Sequence, residues 1–184
     1  LVAEGVGEIL TTENVHRSAD GTKKAVLRLH DGATIETVLL PSVSGRGSAA
    51  AEELDADSAA AEDDDEDEEA EPIAPGVVRV TQCISTQVGC AMGCVFCASG
   101  VAGLKRHLGA EEIVAQVLVG RAMLEGTEQL RNVVFMGMGE PLHNYDATAR
   151  SIRLLTHPEG IGLSSRRVTI STSGLVPEIQ RLGE

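Results

Sequence analysis

Tryptophan is absent, tyrosine occurs once and phenylalanine twice. A core so poor in rings has to be filled by Val, Leu, Ile and Ala, and 42% hydrophobic residues in 184 suffice to build one. No apolar run reaches the roughly 18 residues of a membrane-spanning helix. The N-terminal Leu1-Val-Ala-Glu-Gly has neither the basic-then-apolar layout of a signal peptide nor an initiator Met, which points to a trimmed chain or a piece of a longer one. Cysteine is scarce as well. There are four, three of them within eight residues, which is not a disulfide framework and suits a reducing cytosol. Bases are outnumbered, with 15 Lys and Arg against 28 Asp and Glu. Thirteen of those acids fall in residues 52–71, which hold no base, so the remainder balances at fifteen against fifteen. The body of the protein is neutral, which argues neither for nor against a nucleic-acid partner.

What is present centres on Cys90-Ala-Met-Gly-Cys94-Val-Phe-Cys97. Three thiolates at this spacing can hold three irons of a [4Fe–4S] cubane and leave the fourth iron open to a small chelating molecule. A structural zinc site wants four protein ligands, usually as two separated pairs. A zinc knuckle completed by His107, or a set of free thiols, are the alternatives that the spacing leaves open.

Residues 1–43 read as small β structure. Ala25–Leu29 and Thr34–Leu40 flank His30-Asp31-Gly32-Ala33, a hairpin signal, with an earlier turn at Asp20-Gly21. Alternation puts Ile35, Thr37 and Leu39 on one face and Glu36, Val38 and Leu40 on the other; by pattern alone Glu36 is a solvated strand residue. Residues 44–75 are Ser-, Ala-, Asp- and Glu-rich and are expected to be a disordered acidic insertion. From Gly76 onward the pattern alternates strand, loop and helix. Strands are expected at Val77–Ser85, Asn132–Met136 and Arg167–Ser171. Helices are expected at Ala110–Leu124, from Asp146 as N-cap, and from Pro177.

This order predicts an α/β fold of βαβ units, with residues 76–184 as its core. The chemically suggestive residues each follow a strand: the cysteine loop, Gly137-Met-Gly139-Glu140-Pro, and Ser171-Thr-Ser173. Ligands of parallel α/β folds sit at the carboxyl ends of the strands, so the three loops are expected on one rim. The glycines let the backbone approach a ligand closely, and Glu140 can accept from an ammonium group. Arg166-Arg167 can meet phosphates or lie at the surface.

Several segments together carry a family resemblance. They are Gln82-Cys-Ile-Ser-Thr-Gln-Val-Gly-Cys90, the cysteine loop, Asn132-Val-Val-Phe-Met-Gly-Met-Gly-Glu-Pro141, Ser165-Arg-Arg-Val-Thr-Ile-Ser-Thr-Ser-Gly174, Asp20-Gly21-Thr22 and Ile35-Glu36-Thr37. The chain resembles radical S-adenosylmethionine (SAM) enzymes, specifically the ribosomal RNA adenine C2 methyltransferases and their C8-methylating relatives. The resemblance implies a partial (β/α) radical SAM barrel, a [4Fe–4S] cluster on Cys90, Cys94 and Cys97, and SAM held by Gly139, Glu140 and Ser171. It assigns Glu36 as proton acceptor and Cys83 as a second cysteine that resolves an enzyme–RNA intermediate. It implies 23S rRNA and tRNA as partners, an electron donor such as flavodoxin, and a cytoplasmic location. Adenine C2 is not nucleophilic, so such enzymes methylate a cysteine with one SAM and generate a 5′-deoxyadenosyl radical from a second. The methyl-carrying cysteine lies late in the family, and this chain stops after about three βα units. It is therefore expected to be a fragment that does not methylate alone.

Overall fold

The computed structural model describes residues 9–42 and 76–182; the expected acidic insertion lies outside them. The elements in chain order are β1 (Leu10–Arg17), β2 (Lys23–Leu29), β3 (Thr34–Pro41), β4 (Val78–Cys83), β5 (Gln87–Val88), α1 (Ala98–Val101), β6 (Arg106–His107), α2 (Ala110–Ala122), β7 (Glu128–Phe135), α3 (Tyr145–Thr156), β8 (Val168–Ile170) and α4 (Val176–Leu182). A six-stranded sheet runs β1-β2-β3-β4-β7-β8, and β5 and β6 form a separate small hairpin. Pairing is antiparallel from β1 to β4 and parallel from β4 to β8. The N-terminal strands thus extend the edge of the parallel βα units within one sheet.

Strand alternation gives the sheet two unlike faces. Ala25, Leu27, Leu29, Ile35, Ile84, Val133 and Phe135 point to one face and are buried. Ile113, Ala115 and Val117 of α2 and Leu155 of α3 cover them. Each Val, Leu, Ile or Phe among them contributes about 1.5–3 kcal/mol through burial. The other face carries Lys24, Glu36, Val38, Cys83 and Val134, all half-buried, and no helix of the described residues lies over it.

Polar groups fasten the covered face. The Gln116 side chain on α2 accepts from Ser85 N at 2.8 Å and donates to Ser85 O at 2.9 Å, pairing with β4's extension as a neighbouring strand would. The first turn of α2 is capped by Glu112, whose carboxylate accepts from Gly109 N at 2.9 Å.

The expected elements are present, with three differences. β1 is an edge strand exposed along most of its length, so it carries no alternating apolar signal. The β5–β6 hairpin is too short to leave a periodic pattern. Asp146 is not the cap of α3: Asn144 holds that position, and Asp146 lies exposed in the first turn, paired with Arg181 at 2.6 Å. Asn144 does not cap with its side chain either. Its buried amide donates to Thr86 O at 2.9 Å and Leu108 O at 2.8 Å, tying α3 to the β5–β6 hairpin.

Candidate active site at the strand ends

Past β4, Ile84, Ser85 and Thr86 carry the chain to β5 and into the cysteine loop. The loop closes where Cys90 N donates to Gly103 O at 3.2 Å. Gly89, at φ 76°, sits at this closure, and a Cβ there would stand 1.8 Å from Gly103 O. Cys97 N donates to Cys94 O at 3.0 Å, and Gly100 N to Cys97 O at 3.1 Å, winding the loop into α1. Cys90 is buried, Cys94 and Cys97 are half-buried, and Val95 and Phe96 between them stand in solvent.

The donor chemistry fits a thiolate-ligated cluster. Met92 N donates to Cys90 Sγ at 3.5 Å. Backbone amides of Gly100 and Ser99 at the Cys97 sulfur hold its thiol below the ordinary range, which favours the ligating thiolate. Among the described residues, no three His, Cys, Asp or Glu converge as the ligands of one ion would. His107, the zinc knuckle's fourth ligand, instead faces Gln87, with Nδ1 3.0 Å from Nε2.

The loop after β7 is stitched to the one after β4. Gly137 N donates to Ile84 O at 2.9 Å, Met138 N to Ser85 Oγ at 2.9 Å, and Thr86 N and Gln87 N both to Met138 O at 2.8 and 3.1 Å. Gly139 has φ 104°, and a Cβ on it would lie 2.6 Å from Gln87 Cβ. The space that the sequence reserves for a ligand at this glycine is, on that side, taken by Gln87. Glu140 is 4% exposed. Its Oε1 accepts from Leu142 N at 3.0 Å and its Oε2 from Ser173 N at 2.7 Å. The latter bond joins the third loop, after β8, so the three strand-end loops do meet on one rim. Ser171 is exposed one residue past β8. Arg166 and Arg167 precede β8 and so lie at the opposite end of that strand from the rim.

Glu36 and Cys83 lie on the uncovered face. Val38 is the register partner of Cys83, which makes Glu36, two residues earlier, a diagonal neighbour of Cys83 on adjacent strands. Such pairs are about 7–8 Å apart. Glu36 accepts from Lys24 Nζ at 3.0 Å, and its backbone O accepts from Ser85 Oγ at 2.7 Å. Burial pushes the Cys83 thiol up, and the Met136 amide at the sulfur offsets part of that. Gln87, Ser85, Gln116 and Lys24 were not singled out in the sequence. Ser85 and Gln87 showed only as polar residues in the run that leads into the cysteine loop, while Gln116 on α2 and Lys24 on β2 gave no signal.

The radical SAM superfamily model matches residues 84–184. The chain belongs to the radical SAM superfamily. Membership implies a [4Fe–4S] cluster and SAM as cofactors. The dual-specificity RNA methyltransferase RlmN of Sorangium cellulosum is 78% identical over 183 residues, covering 100% of this chain and 47% of that protein. A probable dual-specificity RNA methyltransferase RlmN of Acidothermus cellulolyticus is 47% identical over 171 residues, covering 88% of this chain and 36% of that protein. The crystal structure of a radical SAM methyltransferase from Sphaerobacter thermophilus superposes with a TM-score of 0.71 at 41% identity, covering 95% of this chain and 42% of that one. This radical SAM chain therefore spans about half the length of the curated relatives it matches.

Proposed function

We propose that the chain is part of a radical SAM methyltransferase that methylates C2 of an adenosine in 23S rRNA and also acts on tRNA. The observation that carries this reading is 78% identity along its whole length to a protein named for dual-specificity RNA methylation. In this reading Cys90, Cys94 and Cys97 ligate the cluster, and Gly139, Glu140 and Ser171 contact SAM. Each oxygen of Glu140 accepts one backbone amide, which leaves lone pairs for an ammonium group. When bound, the cluster supplies the electron that cleaves the sulfonium. Glu36 is the proton acceptor, and Cys83 resolves the enzyme–RNA intermediate. The two share the face that α2 and α3 leave uncovered, which is open to a substrate base. Burial that keeps the Cys83 thiol protonated at neutral pH suits a group that has a proton to give.

The same reading divides the chain into an N-terminal β-hairpin segment (1–43), an acidic insertion (44–75) and a SAM-binding core (76–184). It takes RNA and a one-electron donor such as flavodoxin as partners, in the cytoplasm. No helix among the described residues is long and apolar enough to cross a membrane. Anaerobic reconstitution of the full-length protein tests it. Expected are about four irons per chain, a cluster spectrum that responds to SAM, and methyl transfer to C2 of adenosine in 23S rRNA. An iron-free protein that binds zinc, or a cluster blind to SAM, overturns the reading.

A further inference from the structure

Gln87 is fully buried and reaches in three directions. Its Oε1 accepts from the Glu140 backbone amide at 2.9 Å. Its Nε2 lies 3.0 Å from Nδ1 of His107 and 3.2 Å from Nδ1 of His143. A backbone amide only donates, so the atom facing Glu140 is the oxygen and the NH2 group faces the histidines. Each Nδ1 therefore accepts, and each ring is neutral with its proton on Nε2. The rings meet edge to face, 5.0 Å between centroids at 76°. Both residues are exposed, so protons reach them.

Protonating either Nδ1 would set N–H against N–H. Gln87 could answer only by turning its NH2 toward the Glu140 amide. It could not swing aside freely, because it also packs against the Gly139 backbone. We infer that Gln87 is a positioning residue that holds the Gly139–Glu140 turn in its observed shape only while His107 and His143 are both neutral, so that SAM affinity falls on acidification. This rests on the proposed reading of Gly139 and Glu140 as SAM contacts.

Other charges face the pair. Tyr145, Asp146, Glu178 and Arg181 line a cavity of about 520 Å³ that they share with His107 and His143. Arg181 is paired with Asp146 and Glu178, and Arg106 donates to the His107 carbonyl. Burial, and then the neighbouring His143, pull His107 below its ordinary value.

The experiment compares reconstituted full-length wild type, Gln87→Leu and Gln87→Glu between about pH 5.5 and 8. Gln87→Glu keeps an acceptor for the Glu140 amide and offers its second oxygen to an imidazolium N–H. SAM titration is expected to weaken about tenfold in wild type on acidification, the loss of one hydrogen bond. Gln87→Leu binds about tenfold more weakly throughout and without pH dependence. Gln87→Glu keeps its affinity at the acid end. Hydrogen exchange at the Glu140 amide, which needs no cofactor, follows the same three profiles. Protection and affinity that do not change with pH in wild type, or a Gln87→Leu variant that matches it in both, overturn the inference. If wild type binds no SAM at any pH, the proposed function falls, while the exchange profile still decides the role of Gln87.

Discussion

The backbone amide of Ser173 donates to Glu140 Oε2 across 2.7 Å, joining the loops that follow two adjacent parallel strands. The other carboxylate oxygen accepts from Leu142 N within its own loop. A Glu140→Gln substitution turns an NH2 group toward one of these amides and leaves a buried donor unpaired. It is expected to cost about 1–3 kcal/mol, read as a shift of the urea midpoint with an unchanged slope. An unshifted midpoint would mean that the Glu140 carboxylate does not hold the two loops together.

Gly139 and Gly174 share φ 104°, but a Cβ on Gly139 meets Gln87 whereas one on Gly174 meets nothing within 4 Å. Alanine at either position is strained, by about 1–3 kcal/mol. Alanine at 139 also has to displace Gln87. Gly139→Ala is therefore expected to be the more destabilising of the two, and the difference in their unfolding free energies measures the packing alone. Equal losses would show that Gln87 moves aside without cost.

The fold was legible wherever a residue's neighbours in sequence determined its surroundings. The split of Ile35, Thr37 and Leu39 from Glu36, Val38 and Leu40 could be read from alternation, and burial follows it, with Leu40 the most exposed of the second set. The gathering of three loops followed from their each succeeding a parallel strand. What stayed hidden depends on contacts between distant segments. Asp146 reads as the helix cap, but Asn144 holds that position, and its amide is used by carbonyls at Thr86 and Leu108. The glycine at 139 looks reserved for a ligand, but Gln87, far earlier in the chain, fills part of the space. Glu36 carried no local sign of chemistry, and only the register of β3 on β4 brings it beside Cys83.

Acid should weaken the fold through two surface pairs. The Arg106 guanidinium, then the Ala33 amide, holds Asp31 down to about 2 from 3.8. Arg17 holds Glu125 down to about 2 from 4.5. Both carboxylates have lower values folded than unfolded. Their contribution is therefore complete above the unfolded values and is lost as pH falls through about 4.5 toward 2. Both lie at the surface, so salt screens the effect. In Asp31→Asn the stability profile should be flatter across this window and should meet wild type at its acid end. Parallel profiles would exclude Asp31 as a source of acid sensitivity.

Burial raises the Cys83 thiol, so little thiolate exists at neutral pH. In cluster-free protein, iodoacetamide should label Cys83 more slowly than a small model thiol at pH 8, with the rate still climbing above about pH 9. Mass spectrometry of the labelled peptide gives the rate. Labelling as fast as the model thiol would remove the argument that Cys83 holds a proton to give.

Glu36 is paired with Lys24 at 3.0 Å, and both side chains are close to half exposed, at 46% and 44%. Such a pair contributes only about 0–1 kcal/mol to stability, because water solvates either ion when the other is lost. A residue kept for its fold and one kept for its chemistry therefore part ways at this position. Glu36→Gln should unfold within about 1 kcal/mol of wild type, yet lose about 10²–10⁴ in methyl transfer by the full-length enzyme, the range of a missing general base. Cluster content and SAM affinity should stay unchanged, since neither the cysteine loop nor the Glu140 turn touches this carboxylate. If methyl transfer survives in Glu36→Gln, the proton leaves by another group.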